Sequence, residues 1–191
     1  MADTIRCFLA VRIPADTALR RVLKELAEMG RALKAVEPDN LHVTLKFFAA
    51  AEQDLIAPIQ AIAADVAGHQ ARTQIALSCL GAFPNAQRPN VIWAGLEGTG
   101  IGTLSAIAQE LEQSLEGIGF AREDRPFKPH LTLARVKARP PHELRELLGR
   151  HAKTVFGTAP LDEIELIRSE PGPEGSRYTV LGRFPLAKNA T

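Results

Sequence analysis

The sequence predicts a mixed helix-and-strand protein built as one globular unit with two lobes. Three features of its 191 residues lead there. Short β-favouring runs alternate with stretches of helical apolar spacing, and the order of these elements recurs in the two halves of the chain. A His-apolar-Thr-apolar tetrad stands once in each half, at His42 and at His130.

Thr4 to Arg12 (TIRCFLAVR) favours a strand by composition and length, and Pro14 stops it. From Asp16 onward, Leu19, Val22, Leu23, Leu26 and Ala27 recur at helical spacing opposite Arg20, Arg21, Lys24, Glu25 and Glu28, with Gly30 as the end. The turn-like Glu37-Pro38-Asp39-Asn40 leads into a second strand, Leu41 to Phe48, whose alternation sets His42, Thr44 and Lys46 on one face. Asp54 to Gly68 has helical periodicity, and Thr73 to Leu80 is strand-like.

After a loop holding Gly81, Pro84, Asn85 and Pro89 the order recurs. Val91 to Leu96 reads as a strand, Leu104 to Ile118 as a helix, and His130 to Val136 as a strand entered through Phe127-Lys128-Pro129. Pro141 to His151 gives a short helix with proline in its first turn, and strands around Leu161 to Arg168 and Arg177 to Phe184 complete the chain. Alternating strands and helices also fit a parallel doubly wound sheet, the rival architecture. No glycine-rich turn of the Rossmann or P-loop kind follows any of the strands.

Composition narrows the function. Acidic and basic residues nearly cancel, leaving a net charge of +1, so the chain does not coat nucleic acid through a broad basic surface, although a local basic pocket is compatible. Met1 to Val11 carries Asp3 and Arg6 in a short apolar run and reads as a strand rather than a secretory signal. No apolar run approaches the roughly 20 residues that span a bilayer. Cys7 and Cys79 lie in separate apolar runs without a metal or disulfide spacing, which predicts free buried thiols and a reducing, cytoplasmic location.

His42-Val43-Thr44-Leu45 and His130-Leu131-Thr132-Leu133 carry the chemistry. A single histidine in a strand is ordinarily a half-buried, hydrogen-bonded residue, and threonine is simply a good strand former. Chance would supply on the order of 0.06 such tetrads in a chain of this composition, so two of them point to a shared task. Residues i and i+2 of a strand share a face, which sets an imidazole beside a hydroxyl in each copy. Two imidazoles titrating near pH 6.5 can act as acid and base together, and threonine hydroxyls can donate to the oxygens of a phosphate whose charge is building. The spacing does not say which histidine is the acid. Zinc would want a third ligand at a short spacing, which neither tetrad supplies, and no Gly-x-Ser-x-Gly elbow is present. His69, His142 and His151 fall at helix ends and read as structural.

The paired tetrads resemble those of the 2H phosphoesterase superfamily, specifically its RNA 2′,3′-cyclic phosphodiesterases, also called 2′-5′ RNA ligases. The likeness extends over Arg6-Cys7-Phe8-Leu9-Ala10-Val11, Asn40 to Phe47, Pro89-Asn90-Val91-Ile92-Trp93-Ala94-Gly95, Phe127 to Arg135 and the closing Tyr178 to Leu186. It implies a bilobal α+β fold, two pseudo-symmetric modules of antiparallel sheet plus helices around a central cleft, forming a single domain over residues 1–191. It implies hydrolysis of RNA 2′,3′-cyclic phosphate ends to 2′-phosphomonoesters without metal or other cofactor, with His42 as proton donor and His130 as proton acceptor. Thr44 and Thr132 would hold phosphate oxygens, and Arg135 would add a charge-assisted contact. Strict alternation sets Arg135 on the face opposite His130, so a bulge is needed to bring it round. Lys46, on the face of His42, is expected to raise the local potential, and Trp93 to lie in the core. The expected partner is an RNA 2′,3′-cyclic phosphate terminus or a small cyclic-phosphate nucleotide, met by a monomer away from any membrane. The rival functions are ATP-independent, reversible 2′-5′ joining of RNA ends by the same site, and non-catalytic RNA-end binding.

Overall fold

In the computed structural model, which describes residues 3–172 and 175–188, two antiparallel sheets and four helices form an α+β fold. In chain order the elements are β1 (Thr4–Arg12), α1 (Thr17–Glu28), β2 (Leu33–Ala35), β3 (His42–Glu52), α2 (Ile56–His69), β4 (Thr73–Phe83) and β5 (Val91–Glu97). They continue with α3 (Gly100–Glu116), β6 (Leu131–Val136), α4 (Glu143–Arg150), β7 (Val155–Leu161), β8 (Glu163–Gly172) and β9 (Gly175–Pro185). Of the stretch Met1 to Val11 read as a strand, Met1 and Ala2 lie outside the described residues.

The first sheet runs β3-β1-β8-β9 and the second β2-β6-β5-β4-β7. Apart from β2, the two orders correspond strand for strand: a tetrad strand, its hairpin-like antiparallel neighbour, then two further strands. Every ladder between named strands is antiparallel, which rules out the parallel doubly wound sheet. Two helices reach the sheet opposite to the strand they follow: α1 follows β1 but lies against β2 and β6, and α3 follows β5 but reaches β3 as well as β4, while α2 packs on β8 and β9 and α4 on β4. This exchange ties the two lobes together.

Local chemistry accounts for the elements. Asp16 caps α1, its Oδ1 accepting from Leu19 N at 2.8 Å, and Leu19, Val22, Leu23 and Leu26 form the buried stripe. β1 is a nearly continuous apolar run because both of its faces are covered: Cys7, Leu9 and Val11 join the main core, while Phe8 and Ala10 join a second cluster with Ile167 and, at its edge, Tyr178. Cys7 and Cys79 are both free; burial pushes the Cys7 thiol up to about 11.

Two strands are absent from the sequence expectation. β2 is three residues long, too short for any periodicity to register, and β7 carries Gly157 in the left-handed region and Pro160, both of which a strand interior disfavours. Both are edge strands of the second sheet, where a missing ladder donor does no harm. No helix among the described residues is long and apolar enough to cross a membrane.

Candidate active site

Each tetrad strand is bulged at the tetrad's fourth residue. Across β1, Thr44 stands opposite Ala10 and Lys46 opposite Leu9, so Leu45 has no partner. Across β5, Thr132 stands opposite Trp93 and Ala134 opposite Ile92, so Leu133 has none. An extra residue shifts the facing of everything beyond it. Arg135 therefore returns to the face of Thr132 and His130, opposite Val91, as a bulge was expected to do.

The same shift in β3 corrects the placement of Lys46. It turns away from His42 and Thr44 into the interior, 5% exposed, where its Nζ donates to Glu112 Oε1 at 2.7 Å and to the Ala121 carbonyl at 2.8 Å. Lys46 fastens α3 and the chain after it beneath β3. The residue brought to the cleft face in its stead is Phe47, 37% exposed, with the Arg6 guanidinium 4.5 Å from its ring centre.

Both imidazoles are oriented by the same device. His42 Nδ1 lies 2.7 Å from the Asn40 carbonyl, and His130 Nδ1 lies 2.8 Å from the Lys128 carbonyl, in each case two residues back. A carbonyl only accepts, so Nδ1 carries the hydrogen and Nε2 is left for the cleft, an acceptor when the ring is neutral and a donor when it is charged. Phe8 stacks on His42 at 4.7 Å and Tyr178 meets it edge-on at 5.6 Å. Phe83 meets His130 edge-on at 5.1 Å and is itself backed by Trp93 at 5.2 Å.

Trp93 is half-buried on the cleft side of β5 rather than in the core, its indole lying over Gly81 where a Cβ would overlap the ring. Its Nε1 is buried with no hydrogen-bond partner among the described residues. The other three histidines sit at helix ends as expected: His69 faces Glu110, His142 faces Glu146, and His151 Nδ1 meets Thr154 Oγ1 at 3.1 Å.

The electrostatics of the site are cationic. Burial pushes His42 below the ordinary imidazole range; its hydrogen bond to Asn40 opposes this, the charges of Arg12 and Arg135 add to it, and Glu165 opposes it. Arg135 belongs to the second sheet and His42 to the first, so a charge of one sheet acts on the imidazole of the other. A cavity of ≈ 330 Å³ at one end of the cleft is lined from one sheet by Lys34, Arg135 and Lys137 and from the other by Tyr178, with Asn40 beside it. Imidazoles can exchange protons and guanidiniums can contact an anion.

The model of the 2′-5′ RNA ligase superfamily matches residues 14–173, spanning both tetrads. The chain belongs to the 2′-5′ RNA ligase superfamily. Within it, the chain is 34% identical over 187 residues to the RNA 2′,3′-cyclic phosphodiesterase of Methanothermobacter thermautotrophicus, covering 95% of this chain and 99% of that one. It is 36% identical over 164 residues to the enzyme of the same name from Aeropyrum pernix, covering 85% and 92%. Among solved structures, a Thermus thermophilus protein superposes with TM-score 0.79 at 31% identity over 97% of this chain and all of that one. Escherichia coli LigT complexed with 3′-AMP superposes with TM-score 0.72 at 25% identity over 96% and 98%.

Inside this superfamily frame the structure adds residues that sequence reasoning did not single out. Phe8 and Phe83 wall the two imidazoles, and Tyr178 closes over His42 from β9. Arg12 stands directly opposite His42 on the β1 to β3 ladder. Its partner Glu165 lies 153 positions away in the chain, a separation over which no local pattern carries a signal.

Proposed function

We propose that this chain hydrolyses RNA 2′,3′-cyclic phosphodiester ends to 2′-phosphomonoesters by metal-independent acid–base catalysis between His42 and His130. The observation that carries the reading is that Arg135, brought round by the bulge in the second tetrad strand, lies close enough to act on the His42 imidazole of the first sheet, which supports the two matched strands serving one cleft. The relatives named RNA 2′,3′-cyclic phosphodiesterase support the substrate class, and LigT complexed with 3′-AMP supports a ribonucleotide as the bound unit.

In this mechanism His130 Nε2 takes a proton from water as the water oxygen bonds to phosphorus. The bond from phosphorus to the 3′ oxygen breaks, and His42 Nε2 gives that oxygen its proton. The products are a 3′-hydroxyl and a 2′-phosphomonoester. Thr44 and Thr132 donate to the non-bridging oxygens, and Arg135 offsets the charge that accumulates on them. The free chain disfavours a charged His42, but the bound phosphate anion cancels part of the field of Arg12 and Arg135 and restores its affinity for the proton. The donor is thus made on the substrate complex. Arg12 and Arg135 act on His42, and neither tetrad supplies a carboxylate or thiolate as a further metal ligand, which supports chemistry without metal. We place the protein in the cytoplasm as a monomer, a location consistent with its two free thiols.

The test is turnover of an oligonucleotide ending in a 2′,3′-cyclic phosphate, in EDTA, by wild type, His42→Ala and His130→Ala. Wild type turns over, and each variant falls about 10²–10⁴-fold. Loss of wild-type turnover in EDTA excludes the metal-free mechanism. Binding without turnover, with or without metal, leaves an RNA-end binder, and accumulation of 2′-5′ linked product makes the site a ligase.

A further inference from the structure

On the cleft face of the first sheet lies a buried carboxylate for which the hydrolytic chemistry has no use. Glu165 is 1% exposed and sits mid-sheet, opposite Ala10 of β1 on one side and Arg183 of β9 on the other. Its two oxygens serve two different guanidiniums: Oε2 accepts from Arg12 Nε at 2.9 Å and Oε1 from Arg183 Nε at 3.0 Å. A buried ion pair is a poor source of stability, because desolvation offsets most of its attraction. What this one achieves is geometric. Each arginine is tied by the nitrogen nearest its stem, which leaves the far end of the fork for another acceptor. Arg12 Nη1 uses part of that end on the Asp39 carbonyl, in the same 3₁₀ turn whose Asn40 carbonyl orients His42.

The arginines form a line that begins at the imidazole. Arg12 is opposite His42, and Arg183 lies two strands further across the sheet, its side chain 62% exposed. A groove of ≈ 510 Å³ opens beside them, lined by Arg12, Arg183 and Arg20, with Asp39 as the one carboxylate of its lining. We propose that Arg12 and Arg183, held by Glu165, bind the phosphodiester next to the cyclic phosphate, so that the chain acts on RNA ends in preference to isolated cyclic mononucleotides. Two preset guanidiniums suit a phosphodiester because its two free oxygens accept charge-assisted hydrogen bonds from such forks. The cavity lined by Lys34, Arg135 and Lys137 is the rival track, but Arg135 already belongs to the cyclic phosphate itself.

The inference rests on the hydrolytic reading, and its test separates the two. The readout is the ratio of kcat/KM for a tetranucleotide ending in a 2′,3′-cyclic phosphate to kcat/KM for the cyclic mononucleotide, in wild type, Arg183→Ala, Arg183→Lys, Glu165→Gln and Lys137→Ala. Arg183→Ala lowers the ratio about tenfold, Arg183→Lys less, and the logarithmic salt dependence of tetranucleotide binding loses about one unit of slope in Arg183→Ala. Glu165→Gln, checked for folding by its melting curve, lowers the ratio in the same direction. An unchanged ratio in Arg183→Ala overturns the inference, as does a fall confined to Lys137→Ala or an equal loss on both substrates. If wild type turns over neither substrate the hydrolytic reading fails, and affinity for a tetranucleotide ending in a 2′-phosphate decides the subsite. Arg183→Ala then binds about tenfold more weakly, and equal affinities overturn the proposal.

Discussion

Leu45 and Leu133 are the same structural residue in two strands: each is the fourth member of its tetrad, each is buried, and each is the unpaired residue of a bulge. The bulges decide what lies two places further on. In β6 that is Arg135, in β3 Phe47, so the duplicated strands end in different chemistry, a guanidinium in one and an aromatic ring in the other.

Arg135→Ala should therefore raise KM for the cyclic phosphate and lower kcat/KM by roughly 10–100-fold, the size expected for a lost hydrogen bond to a charged group. Arg135→Lys should recover only part, because an ammonium cannot reproduce the planar fork. Steady-state kinetics on the three proteins checks this. A loss in thermal stability without a change in KM would count against the bulge's role in presenting the side chain.

Lys46 should matter to folding and little to turnover. Lys46→Met leaves Glu112 without its 2.7 Å partner, and since Glu112 is partly solvated the cost falls at the lower end of the range for a broken buried pair, about 3 kcal/mol. Adding Glu112→Gln should restore much of it. Denaturant titration measures both, while kcat/KM of the folded variant stays within about twofold of wild type. A tenfold fall in kcat/KM at full folding would return Lys46 to the site.

Burial and the neighbouring arginines hold His42 below the ordinary imidazole range in the folded chain, so the unfolded chain binds that proton more readily. The contribution of His42 to stability is whole above the unfolded value of about 6.5 and is lost as pH falls from there through the lower folded value. Unfolding free energy should thus rise with pH across this window in wild type and rise less steeply in His42→Asn. Inorganic phosphate, by favouring the charged ring, should flatten the wild-type slope. Identical slopes in the two proteins would show that the burial of His42 has no such consequence.

Gly81 leaves room for the only tryptophan of the chain, which backs Phe83, which in turn walls His130. Gly81→Ala should displace that stack. The expected signs are a shifted tryptophan emission, a destabilisation of about 1–3 kcal/mol from overpacking and a fall in kcat. Unaltered emission with reduced kcat would mean that the stack does not transmit the change.

Much of the architecture was legible in the residues. The apolar periodicity of α1, the β-rich run of β1 and the recurrence of the tetrads are local patterns set by side-chain size and polarity, and each maps to an element of the structure. β2 and β7 were not legible, because a three-residue edge strand has no period and β7 contains residues that strands avoid. Lys46 shows the limit most directly. Alternation counts residues along one strand, whereas facing is set by pairing with the neighbour, and a single unpaired leucine reverses it.

The sequence by itself determined that two imidazoles and two hydroxyls recur in matched strands and that acidic and basic residues nearly cancel over the whole chain. Only the tertiary structure decided which cations join them. Arg135 enters through a bulge and Lys46 leaves through one, while Arg12 and Arg183 meet at a carboxylate far from Arg12 in the chain and buried mid-sheet. The physical reason is that charge acts through space at a few ångströms, and which charges come that close is settled by strand pairing across the sheets rather than by neighbours along the chain.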